Sequence, residues 1–229
     1  MENIIAHTTS SFEKLSNILT STSFKLSFSI ENFTWNGKDV SKAAHPMVSF
    51  SEFDPKTINN QKNTYGKYAI GFSKEWARNN EIGPVLYVSD SSVAAKGMRD
   101  LLVSRRKKRT GDKLSGKVRL AIMEVKCFMK NETGFNSYTK DEKFDFKSEN
   151  EWRYIPRKNS IDNYLISQNQ STFIKNKEKH NKKLEKFPLR FLLKDLIYVF
   201  VPTEMEKKRI IELTGINKEK VKISKWRTK

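Results

Sequence analysis

The chain has 229 residues, of which 37% are hydrophobic and 11% aromatic; that suffices for a packed core and excludes a disordered chain. Its formal net charge is +18 at pH 7, and no apolar run approaches the roughly 18 residues of a membrane helix. A single cysteine, Cys127, excludes an internal disulfide framework.

The N-terminal "MENIIAHTTSSFEK" lacks the basic start and apolar middle of a signal peptide, so a cytoplasmic protein is expected. The charge is unevenly placed. Residues 1–90 carry nine groups of each sign, so the whole excess of +18 falls in 91–229. Such asymmetry points to a polyanionic partner.

Phe12, Leu15, Ile18 and Leu19 recur at helical spacing, with Ser10 or Ser11 as cap. "FKLSFSI" (24–30) alternates as a half-buried strand, and "ENFTWNGKDV" reads as a polar loop turning at Asn36-Gly37. "PMVSFSEF" (46–53) predicts a second short strand, "KYAIGFS" (67–73) a central one, "SKEWARNN" a helical turn and "PVLYVSD" (84–90) another strand.

From residue 91 two helices follow, joined through "SRRKKRTGDK". Val93, Met98, Leu101 and Leu102 supply the first apolar stripe; Val118, Ile122, Val125 and Met129 fall within the second. "EWRYIP" (151–156) is a strand ended by proline, and residues 167–186 read as a Lys-rich mobile insertion. "IYVFVP" is a strand, residues 203–215 are a helix capped by Thr203 and stopped by Gly215, and "KVKISKW" (220–226) is a last strand. The pattern is a single α+β domain over 1–229, with a mixed or antiparallel sheet and an inserted basic helical hairpin at 91–130.

Candidate sites follow from residue chemistry. "NTYGKYAIGFSKEW" (63–76) matches neither phosphate-binding glycine pattern; Gly71 within a strand signals a bulge or a close approach by backbone or ligand, beside Tyr65 and Tyr68. Glu149 and Glu151 are two apart, so on a strand they share a face with Arg153, which would hold Glu151 ionised. His7 closes an apolar first strand. The consecutive cations Arg105, Arg106, Lys107, Lys108 and Arg109 can grip phosphates or an acidic protein. His7, His45 and His180 are scattered, so no metal site is expected.

"HTTSSFEKLSNIL", "HPMVSFSEF", "YGKYAIGFSKEWARNNEIGPVLYV", "ENEWRYIP" and "IYVFVPTEMEKKRII" occur in an order that resembles the AbiGi family. Its members are bacterial abortive-infection proteins, the antitoxin-side component of a two-gene phage-resistance system. The resemblance spans 7–90, 149–156 and 197–211. It implies a role in phage defence and a toxin-like partner, and supplies no catalytic residues. The order of His7, a Ser-Phe-Ser strand, Tyr65 or Tyr68 and a late Glu151 is also similar to the His–Tyr–Glu arrangement of ADP-ribosyltransferase-like folds. That likeness implies NAD held by His7 and a tyrosine, and Glu151 activating the transfer. Three functions are therefore open: an antitoxin or regulator that needs no cofactor and binds nucleic acid or an acidic toxin-like protein, an NAD-using effector enzyme, and a nuclease or nucleotidyl-processing domain for which the paired Glu149 and Glu151 would be acidic metal ligands.

Overall fold

The computed structural model describes residues 2–54, 62–63, 65–107, 113–224 and 226–228. Lys108 and Arg109 of the basic run lie outside them.

Strand β1 (Ile4–Thr9) leads into helix α1 (Phe12–Ser21). Ser11 caps that helix by accepting from the Lys14 N–H, and Thr22 ends it with φ at 46°. Strands β2 (Ser27–Trp35) and β3 (Lys38–Phe53) then form one long hairpin. Its two-residue turn is Asn36-Gly37, both at positive φ (48° and 71°), the geometry that matches strand twist. The polar segment around this turn is therefore strand rather than loop. Phe33, fully buried, anchors it to the core while its polar neighbours face outward.

The chain continues through β4 (Tyr68–Ser73), α2 (Lys74–Asn79), β5 (Ile82–Pro84), α3 (Val93–Arg106) and α4 (Gly116–Phe128). Next come β6 (Glu151–Tyr154), α5 (Gln170–Lys175), α6 (Lys177–Leu184), β7 (Leu196–Val201), α7 (Glu204–Thr214) and β8 (Val221–Ile223). The sheet order is β8-β7-β4-β1-β3-β6-β5, with β2 and the short strand Gln168–Asn169 added along β3. Every pair in it is antiparallel except β7 with β8. The protein is thus α+β, with a mainly antiparallel sheet and seven α-helices among the described residues.

Both faces of the sheet are covered. Ile5, Ile70, Phe72, Val199 and Val201 join the main core with Leu15 and Leu19 of α1. Their neighbours Ile4, Ala6, Ala69 and Phe200 form a second cluster with Phe53 and Trp226 on the other side. This is the period of two expected of a strand with both faces buried.

The two helices of 91–130 are present, but their inward faces differ from the apolar stripes. Val93 is 87% exposed and Val125 49%, whereas Lys126 is buried. The Glu31 carboxylate favours the inward Lys126 ammonium against repulsion from Arg153, and that ammonium sits 5.1 Å from the Phe33 ring. Where a Lys-rich mobile insertion is expected at 167–186, the chain forms α5 and α6. Phe173, His180 and Leu184 are buried there, and Phe28 of β2 packs against Phe173 at a tilt and against His180 edge-on. The lysines occupy the outer face and obscure that narrow apolar stripe.

Candidate functional site

A cavity of about 480 Å³ opens beside β1, β2 and β3. His7, Glu31, Ser49, Tyr65, Lys130, Glu149 and Glu151 contribute to its walls. Thr133, Gly134, Phe135, Asn136 and Tyr138, from a small hairpin of strands Thr133–Asn136 and Asp141–Asp145, form another part.

The residues beneath it are held by charge. Arg153 is fully buried and grips Glu151 with two hydrogen bonds, from Nε at 2.8 Å and Nη2 at 2.9 Å. Nη2 also lies 3.1 Å from a Glu31 carboxylate oxygen, and Nη1 donates to the Cys127 carbonyl at 2.8 Å. Glu151 further accepts from Ser49 Oγ at 2.9 Å and from Lys130 Nζ at 3.1 Å. Burial opposes the charge on Glu151, but the attraction of Arg153 and Lys130 outweighs it and brings its pKa down to about 2. The same balance lowers Glu31 and raises Lys130.

Glu149 behaves differently. Burial pushes its carboxyl up, against the pull of Lys130 at 3.4 Å and a short hydrogen bond from the Tyr65 hydroxyl. It does not share the strand of Glu151. It ends a 3-10 turn (Lys147–Glu149), and Asn150, with φ at 43°, redirects the chain into β6. The expected face of Glu149, Glu151 and Arg153 is therefore not an open strand face. Strand alternation does place Glu151 and Arg153 together, but the end of α4 and the strand Met129–Asn131 cover them.

His7 donates from Nδ1 to the Ser49 carbonyl at 2.8 Å, and burial lowers its pKa, which leaves Nε2 unprotonated. Tyr65 joins His7 and both glutamates at the cavity, whereas Tyr68 bonds Glu206 of α7 at 2.7 Å and does not line it. Gly71 is also elsewhere. It faces an irregularity in β7 between Leu196 and Tyr198, and a Cβ there would meet Ile4 Cδ1 at 2.9 Å, so close packing accounts for it. Of the basic run, Arg105 Nε donates to the Arg119 carbonyl at 3.1 Å and Arg106 to the Val40 carbonyl at 2.9 Å. Both therefore tie down the first of the two helices.

Sequence reading misses Glu31 and Lys130. The legible signal was a lysine pair, Lys126 and Lys130, set four apart in the apolar run "IMEVKCFMK". A charge amid such residues needs a buried partner. Cys127 is buried as expected, against His45 Nδ1 at 3.3 Å, and burial pushes its thiol up to about 12.

A family model described as abortive phage resistance protein AbiGi, antitoxin, matches residues 8–202. The chain belongs to the AbiGi family. No curated protein and no solved structure matches it. The AbiGi match covers β1 to β7 apart from the first residues, including every described wall of the cavity except His7. Among the described residues of this AbiGi protein, no helix is long and apolar enough to cross a membrane.

Proposed function

We propose that this AbiGi protein is the antitoxin-side regulator of a phage-defence pair and engages an acidic surface, of nucleic acid or of a toxin-like protein, through its cationic second part. The family match over 8–202 carries this reading. Support also comes from α6, whose exposed Lys177, Lys179, Lys182 and Lys183 form a basic outer face. Co-purification with the product of the adjacent gene, repeated from low to high salt, tests it. Charge reversal at Lys179, Lys182 and Lys183 is expected to weaken the complex and flatten its salt dependence. A complex indifferent to both salt and reversal removes the electrostatic mode.

A second reading is favoured by the cavity. His7, Tyr65, Glu149 and Glu151 come together from distant parts of the chain, as an ADP-ribosyltransferase-like effector would need. There His7 and Tyr65 orient the nicotinamide riboside of NAD, and ionised Glu151 steadies the cationic sugar as the glycosidic bond breaks. Calorimetry with NAD, together with growth of cells expressing the protein or its Glu151→Gln variant, decides. Absence of heat and identical growth eliminate the enzyme.

A further inference from the structure

The cavity's chemistry selects among ligands. Three of its wall residues, Glu31, Glu149 and Glu151, are carboxylates, and their side chains are about nine-tenths shielded from solvent. A carboxylate accepts hydrogen bonds, so it suits sugar hydroxyls, which donate; Glu151 is already filled by Arg153, Ser49 and Lys130, so Glu31 and Glu149 are the two with acceptor capacity to offer. A phosphate needs donors and cations instead. Lys130, the cation among the described wall residues, is already shared between Glu149 and Glu151 and rests on the Phe146 ring at 4.1 Å. Arg153 behind it is fully buried and committed to Glu151, Glu31 and the Cys127 carbonyl.

The rim has a different character. Phe135 and Tyr138 are 53% and 61% exposed, unusual for aromatic side chains in a small hairpin. Tyr138 lies 5.5 Å from Tyr65 at an interplanar angle of 52°. Tilted rings at an open edge offer π-faces to a planar guest, and one base stacked on an aromatic is worth about 1–3 kcal/mol. The volume, about 480 Å³, falls in the usual range for a small-molecule site.

We propose that this cavity is a nucleoside site that discriminates against phosphate: the aromatic rim takes the planar ring, and the carboxylates beneath take the sugar hydroxyls. The inference names the ligand class of the cavity used in the second reading.

The test is calorimetry on the full chain at one ionic strength, with adenosine, guanosine and nicotinamide riboside, each against its 5′-monophosphate, and with NAD. At least one riboside is expected to bind ten times more tightly than its monophosphate. Glu149→Gln should narrow that ratio by removing a negative charge. Tyr138→Ala, which removes a largely exposed ring of the rim, should weaken riboside and monophosphate alike. A monophosphate that binds as tightly as its riboside overturns the proposal, as does failure of every riboside to bind. Riboside binding without NAD binding eliminates the transferase reading and leaves this one standing. NAD binding with a preference for the monophosphates does the reverse.

Discussion

The guanidinium of Arg153 meets the carboxylate of Glu151 as a two-pronged fork, Nε to Oε1 and Nη2 to Oε2, with the arginine fully buried and the glutamate nearly so. Such a pair is costly to break from one side, because the remaining charge stays buried without its partner. Arg153→Met should therefore destabilise the fold by about 3–5 kcal/mol. Arg153→Lys should recover only part of this, since an ammonium cannot reproduce the fork. Urea unfolding of the two variants measures both. A loss below about 1 kcal/mol in Arg153→Met, the range of an exposed pair, would contradict the buried network.

His45 gives stability a pH dependence. It is buried, its Nε2 has no hydrogen-bond partner, and burial together with nearby Lys126 depresses its pKa from 6.5 to about 4. Between those values the unfolded chain takes up a proton that the folded chain refuses, so stability falls as pH drops from 6.5 to 4. The loss is on the order of 3 kcal/mol at most. Glu151, depressed from 4.5 to about 2, adds a further loss of the same sign over that lower window. His45→Gln should make the upper segment shallower, leaving the share contributed by His7, whose pKa burial also lowers, and should leave the lower segment unchanged. Urea midpoints at half-unit pH steps read this directly, and a wild-type curve that is level from 6.5 to 4 would refute it.

Two glycines should respond very differently to alanine. At Gly66, φ is +147° and an added Cβ would sit 2.1 Å from the Thr9 carbonyl oxygen. Backbone must move, and Tyr65 with it, so Gly66→Ala should cost several kcal/mol and disturb the hydrogen bond to Glu149. At Gly37, φ is +71° with nothing within 4 Å, so Gly37→Ala should cost only about 1 kcal/mol of backbone strain. Thermal melts of the two variants give the ordering, and equal losses would mean that the close contact at Gly66 is not formed.

The α5–α6 segment should behave as core. Phe173 and Leu184 are almost wholly buried, so Phe173→Ala and Leu184→Ala should each cost about 2–5 kcal/mol. Limited proteolysis offers a second measure: cleavage after the exposed lysines of α6 should be slow in the native protein and faster in these variants. Rapid native cleavage there would favour a detached insertion instead.

Much was legible along the chain because it is governed by neighbours. The capped helices α1 and α7, the turn at Asn36-Gly37, the strands β4, β6 and β7 and the buried Cys127 all rest on local rules of period, cap and turn. The candidate site was legible in part. Strand alternation pairs Glu151 with Arg153, two positions apart, and no local rule brings Lys130 or Glu31 to them. Tyr68 and Tyr65 look equivalent in the opening run of the central strand, yet three residues of chain turn one hydroxyl to Glu206 and the other to Glu149.

By itself, the sequence determined the α+β class, the position of most elements and the concentration of positive charge after residue 90, since each depends on composition or on contacts a few residues apart. Only the tertiary structure decided that part of that charge is spent internally, with Lys126 and Arg153 buried and Lys130 largely so, beside carboxylates from β2, β6 and the turn before it. The reason is that the electrostatic partner of a buried charge is set by which distant segments the sheet order brings together, and spacing along the chain carries no record of that.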